Sequence, residues 1–380
     1  MKGLLRHFRT VTGSDLSSIS LKQFKNGMGW GVEAARDLKA GELILKIPKD
    51  LWLPTSASQA WDELNSLEPR LCEDLIEFSG KQTDLTIAEK PILVGSVSLV
   101  VHILRELGNE TSTAKEYLNA IPKTSGKLPI FWNEEQIARL QCSPIIKKVY
   151  EQRQFLSTVF SNIIEPHLGG SSLYSAPNFA WGYTLLLSRA ISSVKDKVPY
   201  GLVPILDFFN HCTPASQAGY CIYEFSHQDE AYYVVPTIDV PKGQQLFLSY
   251  GLLGNDDLLR KYGFCFARNP HNIVQVGAVL NSGSPVILEC SAQGKIIQRS
   301  REGIKLDDEA LGIHVQAALD EYPTSLSSDI EELRCLREAE STAMEHNIEP
   351  GEDHYEHVYS LLLRMGEKET LSYCLENLKV

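Results

Sequence analysis

Apolar residues recur along the chain with two different periods, and the switches between them divide it. Over residues 27–53, GMGWGVEAARDLKAGELILKIPKDLWL, apolar and polar positions alternate around a turn signal at Lys39-Ala40-Gly41. That spacing predicts two or three short strands joined by a tight turn. From about 57 to 200 apolar residues step by three and four, which predicts helices over 96–107, 143–164 and 178–192, the last capped at Pro177-Asn178. Alternation returns at 201–206, 219–225, 231–238 and 245–250, and Asn255 reads as the N-cap of a short following helix. Beyond about 280 the chain is again mainly helical, most clearly over 329–346 and 355–378. No repeat of fixed period interrupts this order. The expected fold class is α+β: a strand-rich core split by a helical insertion, then an all-α C-terminal domain.

At 380 residues the chain has room for about two domains. No apolar run approaches the length of about 18 residues that a membrane span needs, so no membrane contact is expected. The first ten residues, MKGLLRHFRT, are basic and lack acids, a faint likeness to a transit peptide. A recognisable motif begins near Asn26 and leaves little room for a leader, so chloroplast import is disfavoured. The eight cysteines (72, 142, 212, 221, 265, 290, 335 and 374) form no CxxC pair and no zinc-ligand spacing. Reduced thiols in a cytoplasmic or nuclear setting follow as the expectation.

Of the formal net charge of −12, most sits in residues 281–380, where 20 acids face 9 Lys and Arg. The remainder is nearly neutral, which argues against nucleic-acid binding through a basic surface. An acidic lobe suits a basic protein partner, with Glu331, Glu332 and Glu338 as candidate contacts. Solvated helix faces are the ordinary alternative. A monomer is expected.

Three segments combine residues that are costly to bury with glycines that packing does not demand. The first is Gly27-Met28-Gly29-Trp30-Gly31. Glycines at alternate positions let a backbone approach a ligand closely or take positive φ, though a glycine-rich β-turn explains them equally. It matches neither the dinucleotide fingerprint nor the phosphate loop. The second, Pro204 to His211, brings apolar residues up to Asp207, Asn210 and His211. Asn210 and His211 offer donors and acceptors suited to an adenine and to backbone groups; a satisfied core histidine and a structural carboxylate are the alternatives. The third is Ser249-Tyr250-Gly251 followed by Leu258 to Phe264, with Tyr250 and Tyr262 each beside a glycine. Core or rim packing is the bland account of such tyrosines.

In order and spacing, the three segments together resemble the SET-domain methyltransferases, and within them the branch typified by the Rubisco large-subunit lysine methyltransferase. The glycine segment followed by Asp37 to Ile44 is similar to that family's first motif. Asp207-Phe208-Phe209-Asn210-His211 is similar to its D-L-x-N-H motif, and Tyr250 with Tyr262 to its closing tyrosine pair. In the tail, Arg364, Gly366, Glu367 and Lys368 resemble the R-x-G-E-K stretch of its substrate-binding domain. The resemblance covers nearly the whole chain. It implies a SET core of small twisted sheets in two parts, residues 1–56 and 186–275. A helical insertion over 57–185 and a helical substrate-binding domain over 276–380 complete the implied layout. It further implies S-adenosyl-L-methionine as methyl donor, and lysine side chains of a non-histone protein as substrate.

Carried over residue by residue, the resemblance has Met28, Gly29 and Trp30 contact the cofactor through their backbone while Arg189 holds its carboxylate. Asp207, Asn210 and His211 line the cofactor, and Phe264 covers the adenine. Tyr250 is the implied catalytic residue and also touches the cofactor. Tyr262 closes the substrate channel, with Ile191 and Leu206 as further substrate-facing positions. Some relatives have a second arginine four residues after the first; Ser193 stands there.

Methyl transfer to an amine needs positioning more than acid or base strength. Lysine must shed a proton held with a pKa near about 10.4, which desolvation beside a cationic donor favours. No metal is called for: histone-type relatives bind zinc with a cysteine cluster after the core, and only Cys265 follows Phe264 nearby. Three alternatives remain. The actin-histidine branch shares the architecture but carries Asn and Trp where Ile191 and Leu206 stand, which favours lysine. A non-catalytic SET-fold adaptor would have lost Tyr250, Asn210 or His211. In the last, the acidic tail is itself the functional part.

Overall fold

The computed structural model describes residues 8, 16–25, 28–54, 57–82, 89–122, 127–192, 199–213, 218–279, 285–300, 305–346 and 350–378. The chain opens with strands β1 (Ile19–Phe24), β2 (Gly29–Ala34) and β3 (Leu45–Pro48). Helices α1 (Ala57–Leu67), α2 (Pro69–Lys81), α3 (Glu89–Gly108), α4 (Lys115–Ala120) and α5 (Glu134–Ala138) follow. Next come α6 (Ile145–Val159), α7 (Glu165–Leu168) and α8 (Ala176–Arg189). Strands β4 (Ala190–Ser192), β5 (Pro199–Leu202), β6 (Asn210–His211), β7 (Cys221–Ser226), β8 (Ala231–Pro236) and β9 (Gln245–Leu248) lead to α9 (Asn255–Tyr262). Strands β10 (Ile273–Val279), β11 (Pro285–Ser291) and β12 (Ile296–Ser300) precede the closing helices α10 (Asp308–Asp320), α11 (Leu326–Glu345) and α12 (Glu352–Leu378). The fold is mixed α+β with a helical C-terminal region. It divides into two compact units, Met1–Thr124 with Phe155–Gly251 and Ser125–Gln154 with Leu252–Val380.

In the first unit the strands make three small sheets, ordered β1-β2-β9-β6, β3-β8-β7 and β4-β5. All pairings are antiparallel except β6 with β9, which run parallel. Alternation in the sequence is alternation in burial: Val32, Ala34, Leu45, Ile47, Val234 and Leu246 point inward and are essentially inaccessible. Helices α3 and α8 pack together, burying Val100, Ile103 and Leu104 from one and Phe179 and Leu185 from the other.

Three boundaries differ from the sequence expectation. Helix α8 starts after Ser175, and the Asn178 amide instead donates to the Ser172 and Leu173 carbonyls (3.3 and 2.9 Å). It also stops at Arg189, because residues 190–192 turn extended and pair with β5. Similarly, Gly254 caps α9, and the Asn255 side chain ties the following loop by accepting from the Phe266 N–H (3.0 Å) and donating to its carbonyl (2.8 Å).

After α9 the second unit holds a three-stranded antiparallel sheet, β10-β11-β12, where an all-α domain is expected from the sequence. Its cause is a period of two: Val274, Val276, Ala278, Val286, Leu288 and Cys290 all face inward onto Leu311, Val315, Leu371 and Cys374 of the helices. The Arg364–Lys368 stretch is a buried brace. Arg364 and Lys368 both hold the Asp329 carboxylate, at 2.9 and 2.6 Å, and Lys368 also donates to the Thr324 carbonyl at 2.7 Å. Glu367 accepts from the Ser143 and Tyr322 hydroxyls at 2.6 and 2.7 Å. The Asp329, Arg364 and Lys368 charges are tolerated there because they pair with one another, and Glu367 is held by hydroxyls alone.

The eight cysteines are free thiols. No helix among the described residues is long and apolar enough to cross a membrane.

Candidate active site

The site in the first unit starts where α8 ends. Arg189 is its last residue, and the chain crosses β4 and β5 before reaching Ile205, whose backbone lies at φ 71°, ψ −42°. For a β-branched residue that conformation costs about 1–3 kcal/mol. Burial of Val203, Ile205, Leu206 and Phe208 on both sides holds it there. The strained turn swings a single 3-10 turn, Leu206–Phe208, so that Asp207 meets Arg189.

Arg189 Nη1 donates to Asp207 Oδ2 at 2.9 Å and to the Asp207 carbonyl at 3.0 Å. The hydroxyl of Tyr117, a fully buried ring on α4, donates to the same Oδ2 at 2.8 Å. The Asp207 side chain has no solvent-exposed surface, and its second oxygen, Oδ1, has no partner among the described residues. Burial pushes the Asp207 carboxyl above its ordinary range, against the pull of Arg189 and Tyr117. For Arg189 burial is the largest influence and works against the charge, and Asp207 together with Tyr117 and Tyr250 outweighs it. Among the described residues only Nη1 of the guanidinium is engaged, and the group lies over the Phe208 ring at 5.4 Å. An orphaned buried acceptor beside an under-used guanidinium suits a ligand carrying both an ammonium and a carboxylate.

The second half of the site is built on β6 and β9, which run side by side with Asn210 opposite Phe247 and His211 opposite Leu248. Just past β9, the Tyr250 N–H donates to His211 Nδ1 at 3.0 Å, which leaves the imidazole proton on Nε2. The two rings stack at 5.0 Å and 25°. The Tyr250 hydroxyl donates to the Phe209 carbonyl at 2.7 Å. With its proton so committed, that oxygen has acceptor character, suited to an amine N–H or to a cationic carbon.

Glycine is required at one place here. A β-carbon on Gly31 would sit 2.8 Å from both Asn210 Nδ2 and Gln245 Nε2, closer than packed atoms allow. Its absence lets β2 lie against the Asn210 amide, which reaches the Met28 carbonyl at 3.5 Å. Gly29 takes φ 66°, a region glycine alone enters freely, and Trp30 follows it, half-buried on β2. Gly27 lies outside the described residues, as does Ser193.

Of the remaining expected residues, Ile191 is half-buried on β4 opposite Gly201, and Leu206 is buried in the 3-10 turn. Tyr262 and Phe264 belong to the second unit. There Gly263 ends α9 in the left-handed conformation and sets the two rings 6.3 Å apart. Tyr117, Gln245 and the Phe209 carbonyl are additions that no motif announces. Among the described residues no group of three His, Cys, Asp or Glu could hold a metal ion.

Comparison with known proteins bears on this geometry. Actin-histidine N-methyltransferase of Papio anubis is 24% identical over 286 residues, 72% of this chain and 43% of that protein. The Danio rerio actin-histidine N-methyltransferase is 24% identical over 269 residues, 67% of this chain and 41% of its own length. The chain thus spans less than half the length of these relatives. Among solved structures, the SET domain of LSMT bound to lysine and AdoHcy superposes with a TM-score of 0.69 at 16% identity, over 100% of this chain and 90% of that one. Rubisco LSMT bound to AdoMet gives 0.69 and 16%, over 100% and 91%. At that identity the likeness is one of fold. The family model described as SET domain matches residues 29–251, from the glycine segment to the Ser249-Tyr250-Gly251 turn. That match takes in more than half of the chain, and the chain belongs to the SET-domain family.

Proposed function

We propose that this chain is a protein methyltransferase that uses S-adenosylmethionine to methylate a lysine side chain of a non-histone protein. One observation carries the proposal. The Arg189–Asp207 pair, with its orphaned buried oxygen, and the Tyr250 hydroxyl, with its proton committed to Phe209, stand in one unit of a SET fold.

Arg189 and Asp207 fit the amino-acid end of the cofactor: the guanidinium nitrogens that Asp207 does not engage would take its carboxylate, and Oδ1 would suit its ammonium. Asn210, His211 and the backbone of Met28 to Trp30 would hold the rest. Bound there, S-adenosylmethionine would supply an electrophilic methyl group on a sulfonium, which departs as the neutral thioether once an amine takes the methyl. Tyr250 orients that amine through its oxygen lone pairs. Burial of the lysine head disfavours its ammonium form and releases the proton. Ile191, half-buried on β4, leaves apolar surface that suits an aliphatic lysine stem, whereas Leu206 is buried and supports the turn from behind. The solved neighbour bound to lysine and AdoHcy supports the same choice.

A second reading, histidine as the methylated residue, is favoured by the resemblance to actin-histidine N-methyltransferases. Calorimetry with S-adenosylmethionine tests the cofactor assignment. Wild type binds, and His211→Ala, which loses the acceptor for Tyr250 N–H and a stacked ring, binds about tenfold or more weakly. A folded His211→Ala protein with wild-type affinity removes His211 from the site.

A further inference from the structure

Strand β10 is a terminal strand of its sheet, and among the described residues no strand pairs with its second edge. Its sequence, IVQVGAV, holds no charge and no proline, and it pairs with β11 in unbroken register from Ile273↔Ser291 to Val279↔Pro285. Folded proteins ordinarily blunt such an edge with charges, proline or a bulge. The opposite edge, β12, does carry Arg299. A groove of about 270 Å³ lies along β10. Four consecutive strand residues, Val274 to Gly277, line it. A strand face presents alternate residues, so four in succession mean that the groove follows the edge, where backbone N–H and C=O groups point.

The other wall is α10 and the residue after it: His314, Ala317, Ala318 and Glu321 line the groove at helical spacing. The alanines are small, and Ala317 is exposed. This helix with Glu321 carries Asp308, Glu309, Asp320 and Glu321 and no lysine or arginine. Cys142 also lines the groove, but burial, reinforced by Glu321 and Glu367, pushes its thiol up to about 11, so it stays neutral and unreactive near pH 7.

We propose that an extended, basic segment of the protein substrate binds this groove as an added strand, its backbone paired with β10 and a lysine or arginine side chain over Glu321. Strand addition of this kind draws affinity from main-chain hydrogen bonds and specificity from alternate side chains. The occupant's identity as substrate rests on the protein-methyltransferase reading above; the groove itself does not.

The test uses the full chain and a fluorescein-labelled nine-residue peptide alternating lysine and valine, read by anisotropy and by hydrogen exchange. Binding is expected, with exchange slowed at Val274–Gly277. It should weaken at least about tenfold when the lysines become glutamates, or when alternate peptide nitrogens are methylated to remove donors. Ala317→Trp, which fills the groove from an exposed position, should abolish binding, and Glu321→Gln should weaken it several-fold. Circular dichroism confirms that both variants fold. Binding that ignores backbone methylation or Ala317→Trp overturns the proposal, as does no binding at all. So does a dimer in solution that Ala317→Trp dissociates, which assigns the edge to a second copy of the chain. S-adenosylmethionine affinity measured on the same sample separates the two ideas: cofactor binding without peptide binding sinks the groove alone.

Discussion

Replacing Tyr250 by phenylalanine isolates the hydroxyl on which the chemistry is placed. In the folded chain that hydroxyl donates a neutral hydrogen bond to the Phe209 carbonyl at 2.7 Å, and the residue is half-buried. Losing such a bond costs about 1 kcal/mol of stability, small against the roughly 5–15 kcal/mol that keeps a domain folded. The ring stays stacked on His211, and the backbone N–H that donates to Nδ1 is untouched. Unfolding therefore cannot account for a large loss of activity. A positioned polar group acting on the reacting atoms is commonly worth about 10²–10³ in rate, or about 2.7–4 kcal/mol. The two magnitudes differ enough to be told apart. Methyl transfer from tritiated S-adenosylmethionine is measured at saturating cofactor, with calorimetry of cofactor binding and thermal unfolding on the same samples. The rate should fall at least about a hundredfold, with cofactor affinity nearly unchanged and melting only slightly lowered. A variant that keeps the wild-type rate, or loses it only in step with cofactor affinity, refutes the assignment.

Three further outcomes follow from the geometry. Gly31→Ala puts a β-carbon 2.8 Å from Asn210 Nδ2 and Gln245 Nε2, so one amide must move; calorimetry should show cofactor affinity reduced about tenfold or more, and unchanged affinity would mean that Asn210 does not contact the ligand. Tyr117→Phe leaves Asp207 Oδ2 with Arg189 alone, and should cost about 1.5–3 kcal/mol in urea unfolding because a hydrogen bond to a buried charged group is lost; an unaltered unfolding midpoint contradicts this. Glu367 is raised to about 7 by burial, despite the Ser143 and Tyr322 hydroxyls, so the folded state holds its proton more tightly than the unfolded chain. Its stabilising contribution is complete below about pH 4.5 and is lost as pH rises through about 7, a change of roughly 3 kcal/mol. Unfolding free energies at pH 5 and pH 8 should therefore shift in favour of Glu367→Gln at the higher pH, and a constant difference between the two proteins denies the shift.

Much of the candidate site was legible because its residues travel in short local runs. The alternation in β2, β3, β7 and β8 and the Asp207–His211 run identify strands and site residues from neighbours in sequence. Tyr117 was not legible: its partner Asp207 is 90 residues away, and nothing local distinguishes it from a core tyrosine. Nor was the strain at Ile205, since a β-branched residue argues against positive φ and only surrounding burial enforces it. The sheet of β10 to β12 shows its period of two in Val286, Leu288 and Cys290, but the long helical runs after it dominate the reading of the tail. Acids of that tail divide in the same way. Glu331 and Glu338 pair with Arg334 on their own helix, a local pattern, and Glu332 meets His357 and Arg364. Asp329 is a buried anchor whose partners lie 35 and 39 residues on.

The proposed activity is transfer of a methyl group from S-adenosylmethionine to a lysine of another protein. The most direct measurement incubates a cell lysate with radiolabelled cofactor and either wild type or Tyr250→Phe, then hydrolyses the labelled proteins and identifies the modified residue by mass spectrometry. The account predicts label from wild type only, recovered as Nε-methylated lysine. Equal label from both proteins, or none from either, contradicts methyl transfer at this site, and label recovered as methylhistidine contradicts the choice of lysine.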